Sequence, residues 1–320
     1  MVKKYLISII VTVYNEESII PEFLDALSNV IVQLKQFNVE VLFINDGSTD
    51  NTVSILKKQL NSSQSFRFRV VSFSRNFGKE NAMKAGLDYA NGDAAIMIDA
   101  DLEDPVELIP LMIEQWVAGY DIVYTVRTLR VEGLGKRFFA YSFYKVINLF
   151  SDIHIYHNAG DYRLFDRKAI TALNRFGERN RFSKGLFNWI GFKSTSIEYV
   201  RHARKKGHTK WSFSKLWHYA VDGIVSFSTI PLKLWVFIGT IISIISFLYA
   251  IFLTVSTLVY GIELPGYAST IVIMMFLNGI ILVNLGILSE YIARIFIEVK
   301  QRPSYLIADI LDSNSDESNK

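Results

Sequence analysis

Two stretches of this sequence carry no charged residue, Leu234 to Tyr260 and Leu264 to Ser289. Each exceeds the roughly 20 apolar residues that a helix needs to cross a hydrocarbon core. Two such runs in succession are hard to bury in a soluble core, and they concentrate the apolar excess behind a mean hydropathy of +0.23. The link between them, Gly261-Ile262-Glu263, has no Lys or Arg. Lys210, Lys215 and Lys233 precede the first run, and Arg294, Lys300 and Arg302 follow the second. The positive-inside rule therefore puts both flanks in the cytoplasm. The chain divides into a cytoplasmic α/β domain over 1–211, an interfacial helix over 212–232, two membrane helices within 233–293 and a cytoplasmic tail over 294–320. From Asp312 the tail is Ser, Asn and acid, a composition that does not build a core.

Ahead of the apolar runs, short β-prone segments alternate with helical ones. Leu6–Val13, Val39–Ile44, Phe66–Ser72, Ala94–Ile98 and Ile122–Thr125 read as strands. Helices are expected from Ser18 to about Lys35, after Thr49-Asp50, from Lys79 to Ala90 and over Val106–Ala118, with Ser18 as the first cap. Strand–helix alternation implies right-handed crossovers and a parallel sheet covered on both faces. Lys3-Lys4 and the apolar run after them resemble a signal peptide. They lack a small-x-small cleavage site and run into Tyr14-Asn15-Glu16-Glu17, so the run reads as the first strand. The absence of cysteine excludes disulfides, Cys-ligated zinc and thiol catalysis. A net charge of +3 gives no reason to expect nucleic acid as a partner. There is no Gly-x-Gly-x-x-Gly after a strand, and Gly78-Lys79 is followed by Glu80, so neither a Rossmann fingerprint nor a P-loop is present.

Asp99-Ala100-Asp101 ends the fourth strand. In extended backbone, residues i and i+2 project to one side, about 6–7 Å apart. Two carboxylates so placed repel each other unless a cation lies between them. Oxygen-only donors favour Mg²⁺ or Mn²⁺, ions that complete their shell with substrate phosphates. Glu16, Asp46 and Lys79 fall at other strand tips, where ligands gather in open α/β sheets.

Between the sheet and the membrane, the segment 134–151 places Phe138, Phe139, Phe143, Val146 and Phe150 near one helical face and Arg137, Lys145 and Asn148 on the other. It fits an interfacial helix and a core-facing helix equally well. Asn158 to Arg167 mixes opposed charges with a glycine, as a salt-bridged turn does. Arg204 to Trp211 is either a juxtamembrane basic patch or a loop in which Arg204, Thr209 and Lys210 close over a diphosphate. His154 and His157 have helical spacing but no further zinc ligand nearby.

Several of these segments together resemble a family. Val13-Tyr14-Asn15-Glu16, Asn45-Asp46-Gly47-Ser48, Arg75-Asn76-Phe77-Gly78-Lys79-Glu80, Asp99-Ala100-Asp101, Gly160-Asp161-Tyr162-Arg163-Leu164 and Arg204-x-x-Gly207-x-Thr209-Lys210-Trp211 occur in the order found in bacterial polyprenyl-phosphate glycosyltransferases. These are family-2 enzymes of the bactoprenol glucosyltransferase type, related to dolichol-phosphate mannose synthases. The resemblance implies a GT-A fold, a nucleotide-sugar donor and inversion at the anomeric carbon. It implies that Asp46 contacts the nucleobase with Tyr14 and Glu16 nearby. It implies that Asp101, assisted by Asp99, holds Mg²⁺ or Mn²⁺ on the diphosphate, with Ala100 in the donor site. Lys79, Arg204, Thr209 and Lys210 join the donor side, and Arg127 and Arg137 meet the lipid phosphate. Asp161 either orients acceptor or sugar or acts as a base. Glu103 stands where the family has Gln, which adds a third carboxylate to the metal set Asp99, Asp101 and Glu103. Thr209 stands where Ser is usual and keeps the hydroxyl. The implied reaction moves glucose from UDP-glucose to undecaprenyl phosphate at the cytoplasmic membrane face, for later cell-envelope glycosylation. UDP-GlcNAc, UDP-Gal and GDP-Man remain alternative donors, and a homo-oligomer is compatible. A polysaccharide synthase is the alternative enzyme class, but the Gln-x-x-Arg-Trp signature is absent. A non-enzymatic membrane partner or small transporter is disfavoured, because the spans carry no charge for an ion path.

Overall fold

The computed structural model describes residues 4–60, 66–127, 159–179, 181–200, 230–261 and 266–313. Eight strands form one mixed sheet in the order β7-β5-β6-β4-β1-β2-β3-β8. They are β1 (Leu6–Val13), β2 (Asn38–Asn45), β3 (Arg67–Phe73), β4 (Ala94–Asp99), β5 (Ile122–Arg127), β6 (Ala159–Asp166), β7 (Ser194–Tyr199) and β8 (Ile307–Asp312). The first four pair in parallel around β1, as the alternation requires. Their near-continuous Ile, Val, Leu and Phe content matches strands buried on both faces.

Helices cover the two faces. Strand residues Ile7, Ile9 and Val11 pack with α1 (Ile20–Ile31), α2 (Thr52–Leu60) and α4 (Ile109–Val117). Ile10, Ala95 and Met97 pack with α3 (Lys79–Tyr89), α5 (Arg167–Asn174) and α6 (Ser183–Trp189). The period of two in the strands thus divides into two cores. At the start of α1 the expected Ser18 cap is not made. The helix begins at Ile20 with Pro21 in its first turn, and the Glu16 carbonyl accepts from the amides of Ile19 and Ile20. A backbone acceptor at that distance leaves the serine hydroxyl unneeded.

Three strands lie outside the sequence reading. The segment read as a salt-bridged turn is β6, inserted antiparallel between β4 and β5. Its charge is absorbed by burial over aromatic rings. Arg163 is 1% exposed, its guanidinium is 5.0 Å from the Phe187 ring and 5.5 Å from Tyr124, and its Nε donates to the Gly160 carbonyl. β7 adds in parallel to β5. β8 adds antiparallel to β3, from a stretch assigned to the tail. Tyr305 stacks on Phe73 with centroids 4.9 Å apart and donates to Asp88. Arg67 and Arg69 both reach Asp312.

Two helices, α7 (Ile230–Tyr260, 31 residues) and α8 (Tyr267–Lys300, 34 residues), are long and apolar enough to cross a membrane. Their large apolar side chains face outward, Leu258 and Phe247 among them. α8 continues past the uncharged run, and there Glu298 Oε1 accepts the Arg179 amide at 2.7 Å. Because β8 follows α8 and β3 precedes α7, the chain leaves and re-enters one sheet across the helix pair. The two proposed interfacial segments, 134–151 and 212–232, lie outside the described residues except for the first turn of α7.

Candidate active site

The tip of β4 and the start of β6 meet at Lys79, with the tip of β1 on Asp99 and the residue after β2 on Gly78. Gly78, at φ 94°, releases the chain from the loop into α3. This puts the Lys79 ammonium 2.6 Å from Asp99 Oδ2 and 2.8 Å from Asp161 Oδ2. Thr12, beside Asp99 on β1, donates to the other Asp99 oxygen at 2.9 Å. Burial works against the Lys79 charge, but the two carboxylates outweigh it and hold the amine above its ordinary value. Burial would likewise raise the Asp161 carboxyl. Lys79 and Lys184 overturn that and hold it well below the usual carboxylate range.

Lys184, on α6, approaches Asp161 Oδ1 at 3.9 Å, so each carboxylate oxygen faces a different lysine. Glu80, next to Lys79, accepts the Ser183 amide at 2.9 Å and so ties α6 to α3. Sequence reading missed Lys184 and the link through Glu80. Nothing in Ser183-Lys184-Gly185-Leu186 marks a site, and only packing brings it there.

Asp46 is a clamp within the protein. Its carboxylate accepts the amides of Phe77 at 2.7 Å and Gly78 at 3.0 Å, and burial pushes the carboxyl up against those bonds. Gly47 lies so close to the neighbouring loop that a Cβ there would be 2.3 Å from the Arg75 carbonyl carbon. Asn15, at φ 55°, accepts the Thr49 amide and donates its own to Ser48, while the Glu16 amide donates to Thr52. Tyr14 beside them is 38% exposed. Tyr14, Glu16 and Asp46 therefore stand on one set of interlocked loops.

The acids after β4 differ from the expectation. The strand ends at Asp99, and Leu102 takes φ 54°. The extended alternation that would line up Asp99, Asp101 and Glu103 is therefore broken. Asp101 Oδ1 instead accepts the Glu103 amide at 3.1 Å, and Glu103 is buried. Among the described residues no three His, Cys, Asp or Glu side chains are grouped to hold a metal, so the three-carboxylate set is not assembled. Asp99, whose oxygens accept from Thr12 and Lys79, and Asp101 remain oxygen donors of the type that hold a hard cation together with substrate phosphates. Ala100 is buried in the core, backbone included.

Beyond them, burial pushes the Asp104 carboxyl up, against Arg127 and a Tyr199 hydrogen bond, and Asp99 and Asp101 add to the rise. Arg127 extends from β5 with Nη2 3.3 Å from Asp104 and Nε 3.0 Å from the Tyr199 hydroxyl. The Tyr199 hydroxyl also donates to Asp104. Arg137, Arg204, Thr209 and Lys210 lie outside the described residues.

Residues 8–173 match the family model described as Glycosyl transferase family 2. The chain is 47% identical over 306 residues to an uncharacterized glycosyltransferase of Synechocystis sp., covering 95% of each chain. It is 46% identical over 302 residues to the SfII prophage-derived bactoprenol glucosyl transferase of Shigella flexneri, covering 94% of this chain and 97% of that one. The prophage bactoprenol glucosyl transferase homolog of Escherichia coli K12 is 44% identical over 302 residues, covering 94% and 98%.

Proposed function

The chain belongs to glycosyl transferase family 2, and from that premise we propose that it glucosylates a polyprenyl phosphate at the cytoplasmic face of a bacterial inner membrane. UDP-glucose is the donor and undecaprenyl phosphate the acceptor. The observation that carries this reading is likeness over nearly the whole chain, apolar helices included, to proteins named bactoprenol glucosyl transferases. The division of labour follows the proposed domains. Residues 1–211 bind donor and acceptor head, 212–232 lie at the interface, 233–293 anchor, and 294–320 return to the cytoplasm.

The acceptor is a phosphate monoester with a second pKa of about 6, so at neutral pH it is already nucleophilic. One of its oxygens bonds to the anomeric carbon. The bond from that carbon to the donor diphosphate breaks, and its electron pair leaves with the nucleoside diphosphate. Attack from the face opposite the leaving group inverts the centre. Asp99 and Asp101 would hold Mg²⁺ or Mn²⁺, which supplies charge stabilisation to the departing diphosphate. Lys79 orients Asp99 and Asp161 at once. Lys79 and Lys184 hold the Asp161 carboxyl well below the usual carboxylate range and so make it a weak base, which suits a positioning residue better. Tyr14 and Glu16 face the nucleotide, and Asp46, bonded to the Phe77 and Gly78 amides, holds the loop beside the nucleobase. Arg127 and Arg137 face the lipid phosphate, and Arg204, Thr209 and Lys210 close on the diphosphate.

The test is transfer of labelled sugar to undecaprenyl phosphate by the purified chain, with UDP-glucose, UDP-GlcNAc, UDP-Gal and GDP-mannose compared. Lipid-linked glucose from UDP-glucose alone is expected. Transfer from another donor corrects the sugar, and transfer to a growing polysaccharide instead of the lipid overturns the acceptor.

A further inference from the structure

We propose that Lys184 is a further cation, beside Arg127 and Arg137, that receives the acceptor's phosphate, an inference that rests on the polyprenyl-phosphate reading above. Three observations converge on it. Lys184 has a loose partner. Its Nζ is 3.9 Å from Asp161 Oδ1, beyond the 2.7–3.2 Å typical of an N–H···O bond, and its side chain is 28% exposed. Lys79, by contrast, is held by two carboxylates at 2.6 and 2.8 Å. An entering phosphate can draw Lys184 from Asp161 without breaking a short hydrogen bond.

The second observation is its side of the site. Lys79 binds Asp161 Oδ2 and reaches Asp99, on the diphosphate side, whereas Lys184 faces Oδ1. Lys184 thus meets a different oxygen of Asp161 from the lysine that also holds Asp99, which leaves it available to a second anionic group.

The third is proximity to the membrane helices. Arg179 donates its amide to Glu298 and a guanidinium nitrogen to the Gln301 carbonyl, at the end of α8. Lys184 lies five positions after Arg179, and Glu80 pins that segment at Ser183. Lys184 is thus carried on the piece of the catalytic domain that touches the C-terminal end of α8, the side from which a lipid head would come. Arg127 does not make it redundant, because a buried carboxylate, Asp104, already balances its charge.

The experiment uses the full-length chain in lipid nanodiscs. Lys184→Gln should raise KM for undecaprenyl phosphate roughly ten- to hundredfold, the scale of a lost hydrogen bond to a charged group. KM for the nucleotide sugar should stay within about twofold, and Lys184→Arg should recover most of the lipid affinity. A rise confined to the donor KM assigns the lysine to the diphosphate and overturns the proposal, and unchanged constants overturn it too. A second measurement needs no variant. Brief reductive methylation of the wild type, read by mass spectrometry, should show Lys184 protected by polyprenyl phosphate and not by UDP. Protection by UDP alone, or by neither, overturns the assignment even if the variants fold poorly. A wild type that moves no sugar to the lipid refutes the functional reading itself. An active wild type with Lys184 silent in both arms refutes only this inference.

Discussion

Lys79 Nζ donates to Asp161 Oδ2 at 2.8 Å across 82 residues of sequence, and the same ammonium holds Asp99. One cation therefore couples the tip of β4 to the start of β6. A carboxylate so paired has a depressed pKa and stays ionised throughout the working pH range.

The pH behaviour of Asp161 follows from that sign. With its folded pKa below the unfolded value of about 3.9, the group favours folding at every pH above that value. The contribution fades only as pH falls through the folded pKa. No inflection near neutrality belongs to it. The acid limb of the wild-type rate should follow the acceptor phosphate, near pH 6. Asp161→Asn should raise KM for lipid phosphate about tenfold and keep that limb in place. A collapse of turnover at saturating lipid, partly relieved at high pH with affinities unchanged, restores the role of base.

Metal dependence is predicted from Asp99 and Asp101. Asp101→Ala should lower turnover roughly a hundredfold or more, the scale of several kcal/mol of lost charge stabilisation. EDTA should do the same to the wild type, with recovery on adding Mg²⁺ or Mn²⁺. Full activity in EDTA removes the metal from the mechanism.

Topology has two independent grounds. Lys and Arg flank the outer ends of the apolar runs, and β8 after them pairs with β3 before them. A reporter fused after Lys300 should read cytoplasmic, and a tag inserted at Gly261 should be accessible from outside. The opposite pattern would break the charge rule, and flanks found on different sides would break the β3–β8 pairing.

The C-terminal strand should be worth stability. Tyr305→Ala removes a stacked ring on Phe73 and a hydrogen bond to Asp88. The expected cost is about 2 kcal/mol, which lowers the melting temperature by a few degrees. Deleting the chain after Gln301 should cost more and expose the β3 edge to aggregation, visible in size-exclusion chromatography. A melting temperature unchanged by either variant would mean that β8 contributes nothing.

Much was legible in the sequence because it is written locally. The four parallel strands β1 to β4 announce themselves as short segments rich in Ile, Val, Leu and Phe, and the two long apolar helices as runs without charge. Asp46, Lys79 and Asp99 sit where strands end, and ends are marked by Gly and by polar residues. Asp161 was singled out by its motif, yet the strand that carries it was not. β6 contains Asp161, Arg163 and Asp166, and a charged segment reads as a turn until Arg163 is seen buried over Tyr124 and Phe187. The alignment of Asp99, Asp101 and Glu103 failed for a related reason. It assumed extended backbone, and the left-handed Leu102 breaks it.

Sequence alone determined the class of fold, the two apolar helices and the acids at the strand tips, because periodicity and composition act over neighbouring residues. Only the tertiary structure decided which charges meet. Lys184 on Asp161, Asp104 and Tyr199 on Arg127, and Tyr305 on Phe73 are contacts between segments 23 to 232 residues apart. Their cause is the packing of helices and strands into one sheet, which no local pattern records.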